Sequence, residues 1–292
     1  MTGEPGVTAV RRIGFAYNPT IEAALELRER AAGWVETRGL EHWASAAADV
    51  EEVTGRLADT DVLVVLGGDG TFLRAAQAVI AVDVPILGIN VGKVGFLSKV
   101  EAQGLERVLG QLASGEYAIQ QRMALECRIQ RAVPAPAAEP AEERKVALND
   151  LVIARGALAR VVRLATSIDA SHLATFVADG LVVASPTGST GYSFSAGGPI
   201  LDPTARNILV TPIAGYLSTI RSVVVRPTAV VRCRVLDAHE ALVSVDGHQD
   251  IPIGVGDTIE VRSIDRPVRL VEPAGSLPFW DLVRQKVELL PS

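Results

Sequence analysis

Apolar positions recur with two different periods along the chain, and the change from one to the other divides it. Near the start, Arg12-Ile13-Gly14-Phe15-Ala16-Tyr17 predicts a strand ended by Asn18-Pro19. Thr20 then stands where it would cap a helix reaching about Gly33, with apolar residues at helical spacing. A second helix is predicted from Ala47 to Leu57. From Asp61 the chain enters Val62-Leu63-Val64-Val65-Leu66, a continuous apolar run that marks a strand buried on both faces of a parallel sheet. Gly67-Gly68-Asp69-Gly70-Thr71 turns into the helical pattern FLRAAQAVI, Pro85 to Asn90 supplies another short strand, and Leu105 to Ala113 another helix. Strands alternating with helices predict an open, mostly parallel α/β unit.

Past Tyr117 the period becomes two. LECRIQRA, KVALNDLVIAR, RVVRLATSID, LATFVADGLVVAS, SVVVRPTAVVRCRVL, ALVSVDGHQDIPI and DTIEVRSI read as strands separated by Gly, Asp or Pro turns. VDGHQ and VGD are hairpin turns, because Asp-Gly tolerates the positive φ angles such turns require. Pro134 to Glu143, rich in Pro, Ala and Glu, is an exposed loop between strands. LPFWDLVRQKVELL returns to helical spacing at Phe279, Leu282, Val283 and Lys286. The expected organisation is an α/β domain over 1–116, an all-β domain over 117–276, and a helix within 277–292 packing back on the first domain.

Composition narrows the function. A chain of 292 residues, 48% of them hydrophobic, has material for two packed cores and is not disordered. No stretch approaches the ~18 consecutive apolar residues of a spanning helix, and MTGEPGVTAVRR lacks the order of a signal peptide, so a cytoplasmic protein is expected. With 28 Lys+Arg against 34 Asp+Glu and no dense basic run, neither nucleic acid nor membrane is an expected partner. Cys127 and Cys233 lie among alternating apolar residues without metal spacing and read as reduced core thiols. Aromatic residues make up only 4%, too few for a base-stacking platform, so a small polar partner is expected.

Three places carry candidate chemistry. In LGGDGTFLRAA a buried strand ends, glycines let the backbone approach a ligand, and a helix begins, so that free N–H groups face whatever lies above the turn. That favours phosphate. The turn has neither the Lys-Ser/Thr of a Walker A loop nor the spacing of GxGxxG, and it sets the Asp69 carboxylate between glycines. A carboxylate there either accepts a proton from an attacking hydroxyl or holds a magnesium ion; an aspartate capping the next helix accounts for the same residues. In the second place, Ala178 to Gly198, a strand feeds a run of small hydroxyl residues and glycines suited to a ribose, a diphosphate or an amide, or to no ligand at all. The third, Asn149-Asp150, interrupts a strand pattern. Buried polar residues need partners, which an adenine edge, a ribose hydroxyl or neighbouring backbone would supply.

Taken in order, GGDGT at Gly67 to Thr71, NVGKVGFL at Asn90 to Leu97, Asn149-Asp150, DGLVVASPTGSTGYSFSAGGP from Asp179 to Pro199 and the closing FWDLVRQKV resemble the NAD kinases from about Asp61 to Val287. GGDGT alone is shared in similar form by diacylglycerol and sphingosine kinases and phosphofructokinases; with the long hydroxyl-rich run it is specific. The resemblance implies an α/β domain followed by a β domain with the active site between them. It implies transfer of the γ-phosphoryl group of ATP to the 2′-hydroxyl of the adenosine ribose of NAD, giving NADP. Asp69 would be the proton acceptor, and the backbone of Gly67, Gly68, Gly70 and Thr71 would handle phosphates. Asn149 and Asp150 would bind the adenosine end, Asp150 replacing a more common Glu. Asp179 would bond the nicotinamide carboxamide, Thr190, Gly191, Tyr192 and Ser195 would pack around adenine and ribose, and Phe96 and Leu97 would form an apolar wall. Magnesium, ATP or polyphosphate as donor, and a homodimer or homotetramer built through the β domain also follow from the resemblance.

The chain departs from the family pattern at TPIAGYLSTIRSVVV, where Tyr216 stands near an expected His. His248 follows the Asp246-Gly247 turn and reads as solvated; His42, His172 and His239 have no constellation around them. The alternatives are a lipid or sugar kinase built on the same GGDGT turn, and a dinucleotide-sensing protein without turnover.

Overall fold

The computed structural model describes residues 4–5, 9–92, 95–132, 142–156, 161–216, 219–238 and 240–288. The chain divides into two compact units, Met1–Gln121 with Val268–Ser292, and Arg122–Pro267.

In the first unit a sheet runs Glu4–Pro5, Tyr117–Arg122, Val268–Pro273, Ile86–Asn90, Val62–Leu66, Arg12–Tyr17, Glu41–Ala46, with Val100–Glu101 also paired to Ile86–Asn90. Pairing is parallel from Val268–Pro273 through to Glu41–Ala46. The expected continuous apolar strand is Val62–Leu66, buried at all five positions, as is Ile86–Asn90 beside it. Helices Glu22–Glu36, Val50–Arg56, Asp69–Ala81, Leu105–Ser114 and Phe279–Glu288 complete the unit. Leu27, Ala31, Val35, Leu105, Val108 and Leu112 bury helix faces against the sheet.

Several local expectations need correcting. Thr20 does not cap the first helix: Ile21 occupies that position, and the Thr20 N–H and hydroxyl both bond Asn18 Oδ1 instead. The second helix starts at Val50, because Asp49 accepts the Glu52 N–H at 3.1 Å and caps it there. Strand Glu41–Ala46 was not foreseen, since its inward positions mix Trp43 with the polar Ser45, whose hydroxyl bonds Glu52. The expected boundaries, 116/117 and 276/277, also differ from those observed. Tyr117–Arg122 and Val268–Pro273 have a strand's period, but they pair into the first sheet, and a period of two does not say which sheet a strand joins.

The second unit has two six-stranded antiparallel sheets. One runs Val223–Val225, Ile208–Ile213, Gly180–Ala184, Asp150–Arg155, Ala241–Val245, Gln249–Ile253. The other runs Ser171–Ala178, Val162–Ile168, Val231–Asp237, Thr258–Ser263, Leu125–Gln130, Glu142–Ala147. Alternate residues of both, among them Leu151, Ile153, Val183, Val243, Leu164, Phe176, Val235 and Ile259, form one core between the sheets. Cys127 and Cys233 lie in it, and burial pushes both thiols up to about 12, consistent with inert core residues. The Asp246-Gly247 hairpin forms as expected, with φ of 49° and 69°. Most of the Pro134 to Glu143 segment and His239 lie outside the described residues, while Glu142 and Glu143 open a strand. Among the described residues no helix is long and apolar enough to cross a membrane.

Candidate functional site

The GGDGT turn is built as the sequence implied, but its aspartate does something the sequence did not reveal. Val62–Leu66 ends in Gly67-Gly68, and Gly68, extended at φ −78° and ψ −176°, is the cap of helix Asp69–Ala81. Asp69 is therefore not the cap. Its carboxylate turns to the segment after Asn90 and accepts three successive backbone N–H groups: Phe96 on Oδ2 at 2.8 Å, Leu97 and Ser98 on Oδ1 at 3.1 and 3.0 Å. Gly95 makes this approach possible, because a Cβ there would stand 1.9 Å from Asp69 Oδ1. An ionised carboxylate offers about four acceptor positions. Three are filled, and the remaining one, on Oδ2, is open to a hydroxyl proton.

Other members of this turn are committed to structure. The Gly67 N–H donates to the Ile89 carbonyl at 2.9 Å, so it is not available to a phosphate. Thr71 is buried against Gly67, where a Cβ would lie 2.6 Å from its hydroxyl. Gly68 is partly exposed and Gly70 exposed at the start of the helix. Phe96 packs against Phe279 of the last helix, ring centroids 6.2 Å apart, with Lys286 Nζ 5.1 Å from its centroid. Leu97 is buried. Both residues donate their N–H groups to the Asp69 carboxylate.

In the second unit Asn149-Asp150 lies beside the hydroxyl-rich run. The Asn149 carbonyl accepts the Ser185 N–H at 2.8 Å, and Gly188 sits so close that a Cβ would come within 2.1 Å of that carbonyl oxygen. The Asn149 Oδ1 is buried with no hydrogen-bond partner. Buried polar atoms are ordinarily hydrogen-bonded, so this oxygen stands out among its neighbours. Gly191 faces it: a Cβ there would be 3.6 Å from both Asn149 Nδ2 and Asp150 Oδ2. Asp150 is 5% exposed, and its carboxyl is pushed up to about 7, first by burial and then by the charge of Asp246.

The hydroxyl run divides into scaffold and surface. Ser185 bonds the Leu148 carbonyl at 2.5 Å, Ser189 the Pro186 carbonyl at 2.7 Å, and Ser193 pairs with Thr211 at 3.1 Å. Thr187 is buried with its hydroxyl unpartnered, whereas Thr190 is partly exposed and Tyr192 and Ser195 are exposed. Asp179 is not a lone acceptor. Its carboxylate pairs twice with Arg155, at 2.8 and 3.2 Å, and no local motif singles out Arg155. Tyr216 is 67% exposed and its N–H bonds the Val177 carbonyl. His248 is exposed as expected. Among the described residues no group of three His, Cys, Asp or Glu is placed to hold a metal ion.

Family models described as the ATP-NAD kinase N-terminal domain and C-terminal domain match residues 26–117 and 148–273. The chain belongs to the NAD kinase family. The NAD kinase of Dehalococcoides mccartyi strain BAV1 is 34% identical over 265 residues, covering 89% of this chain and 90% of that protein. Two solved structures share the fold. A yeast NADH kinase complexed with NADH has a TM-score of 0.79 at 24% identity, covering 97% of this chain and 88% of that one. An NAD kinase from Archaeoglobus fulgidus in complex with ATP has a TM-score of 0.75 at 23% identity, covering 96% and 100%. Family membership favours the NAD kinase reading over the lipid or sugar kinase alternative. Within the NAD kinase framework, sequence reasoning missed Gly95, Ser98, Arg155, Thr187 and Asp246. Gly95 was within reach as a glycine in NVGKVGFL, Thr187 as a member of the hydroxyl-rich run and Asp246 as part of the VDGHQ turn; Ser98 and Arg155 carry no local signal.

Proposed function

We propose that this NAD kinase transfers the γ-phosphoryl group of ATP to the 2′-hydroxyl of the adenosine ribose of NAD, giving NADP. The observation that carries the reading is the Asp69 carboxylate, fixed by three N–H donors with one acceptor position left on Oδ2. Asp69 accepts the ribose proton there. Phosphoryl transfer needs chiefly positioning and charge stabilisation. Asn149 and Asp150, with Thr190, Gly191, Tyr192 and Ser195, hold the adenosine, Asp179 with Arg155 takes the nicotinamide carboxamide, and the backbone at Gly68, Gly70 and Thr71 meets phosphate. Magnesium bound to the donor's phosphates would screen their charge. The cytoplasm is the proposed compartment.

Incubating the purified chain with NAD and ATP is expected to yield a product accepted by a dehydrogenase strictly dependent on NADP. A phosphorylated product that this dehydrogenase refuses rejects the 2′ assignment. Parallel reactions with diacylglycerol and sphingosine as acceptors, and polyphosphate as donor, are run to define the chemistry. Tyr216, exposed near the place of an expected imidazole, favours a second reading, a dinucleotide sensor. NAD binding without any phosphorylated product would select it.

A homodimer or homotetramer built through the β unit is also proposed. Most of the apolar stripe in SVVVRPTAVVRCRVL turns inward, with Val231, Cys233 and Val235 fully buried. Support now rests on the terminal strand Val223–Val225, where Val224 is 46% exposed, and on exposed Leu236. Light scattering at micromolar concentration is expected to give a multiple of 30.8 kDa. A fully active monomer rejects the proposal.

A further inference from the structure

Hairpin turns run over protein surfaces, yet Asp246, at the tip of one, is only 5% exposed. Its φ of 49° is a conformation that Asp, Asn and Gly adopt readily. From there its carboxylate accepts three consecutive backbone N–H groups: Leu148 on Oδ2 at 2.9 Å, and Asn149 and Asp150 on Oδ1 at 2.8 and 3.1 Å. The Asp246 N–H returns a bond to the Asp150 carbonyl at 3.0 Å. Successive N–H groups converging on one point make an anion-binding nest; here the anion belongs to the chain. Asn149 is thereby held from two sides, its N–H by Asp246 and its carbonyl by the Ser185 N–H, while its own Oδ1 stays buried and unpartnered.

We propose that Asp246 is a positioning residue of the dinucleotide site, fixing the Leu148-Asn149-Asp150 backbone so that the Asn149 carboxamide and the Asp150 carboxylate are aimed at the substrate before it arrives. This rests on the reading that Asn149 and Asp150 bind the adenosine end. Asp246 also acts on Asp150 through its charge. The strands flanking Asp150, Gly180–Ala184 and Ala241–Val245, and the Thr187–Thr190 turn carry no ionisable residue. Among the described residues, the charges that act on this pair include Asp246 on Asp150 and His248 on Asp246. An ionised Asp150 accepts a ribose hydroxyl better than a protonated one. NAD affinity accordingly rises with pH through about 7, where burial and Asp246 place the Asp150 carboxyl.

Two variants of the full chain test this. Asp246→Asn keeps the turn and the Oδ1 bonds, but removes the charge and sets an amide donor against the Leu148 N–H. Asp246→Gly keeps the turn and removes the nest's anion. The KM for NAD is expected to rise roughly tenfold in the first and roughly 10²-fold in the second. The kcat at saturating NAD and the KM for ATP should stay near wild type. In Asp246→Asn the acid limb of NAD affinity moves to lower pH, because a like charge beside Asp150 has gone. A lower thermal midpoint with unchanged KM for NAD and an unmoved limb overturns the proposal, reducing Asp246 to a fold-stabilising turn. Asn149→Ala is measured alongside. If that variant binds NAD normally, the reading of the adenosine site is what fails, and the positioning role falls with it.

Discussion

Asp69→Asn is expected to slow phosphoryl transfer by roughly 10²–10⁴-fold, the usual worth of a positioned proton acceptor. The exchange conserves shape and removes basicity. An asparagine Oδ1 can still take the Leu97 and Ser98 N–H groups, but an amide in the place of Oδ2 meets the Phe96 N–H donor to donor. A stability loss of about 1–3 kcal/mol is therefore expected as well, from one backbone donor left unpaired. The two effects are read separately, the first from the rate constant at saturating substrates and the second from the thermal midpoint. NAD binding should change little, because the residues proposed to hold the dinucleotide lie in the other unit. A variant that is thermally weakened but turns over normally would assign Asp69 to the architecture of the Phe96 to Ser98 segment alone. A normal rate constant at saturating magnesium with poor activity at low magnesium would make it a metal-binding group instead.

Gly188→Ala is expected to weaken NAD binding by roughly 10²-fold, the scale of a misplacement near 1 Å in a reactive site. An added Cβ would stand 2.1, 2.5 and 2.7 Å from the carbonyl oxygen, carbonyl carbon and Cα of Asn149. These are backbone atoms, and Asn149 is tied to Ser185 on one side and Asp246 on the other. Neither partner can rotate away, so the Thr187–Thr190 turn and the Asn149-Asp150 corner must separate. Overpacking of this kind costs about 1–3 kcal/mol, visible as a lower thermal midpoint. Gly191→Ala provides the contrast. Its Cβ would meet the Gly188 carbonyl oxygen at 3.3 Å and the Asn149 and Asp150 side chains at 3.6 Å, which a small shift accommodates. Near-normal NAD affinity is expected there. Equal affinities in the two variants would show that the close packing of Gly188 on Asn149 does not shape the dinucleotide site.

The elements and the motif were legible in the sequence because each is written in neighbouring residues. Five consecutive apolar residues at Val62–Leu66 suit only a strand covered on both faces. Gly67 and Gly68 after that run, with helical spacing beyond, place the turn. Asp246-Gly247 likewise announces its hairpin through the φ angles those two residues tolerate. Such preferences act over one to a few residues and survive translation into three dimensions. Even so, they mislead where a competing local bond exists, as at Thr20, whose hydroxyl turns back to Asn18.

Hydrogen-bond partners far apart in the chain were decided only by the tertiary structure. Asp69 meets donors 27 to 29 residues away, and Asp246 meets donors 96 to 98 residues away. Nothing near either aspartate encodes that encounter. It depends on which strands pair, and a strand's period leaves its partner open; for the same reason Tyr117–Arg122 and Val268–Pro273, within the expected 117–276 domain, pair into the first sheet. The serines show the same division. Composition marked the run from Ser185 to Ser195 as rich in hydroxyls, but packing determined that Ser185, Ser189 and Ser193 spend theirs on the scaffold. Thr187 and Asn149 are among the buried groups left wanting a partner. The sequence by itself therefore determined the family, the two kinds of fold and the place of Asp69 in its turn, because these are local in the chain. Tertiary structure alone decided how that carboxylate and the Asn149-Asp150 corner are held, because burying a polar group obliges it to find partners wherever the fold brings them.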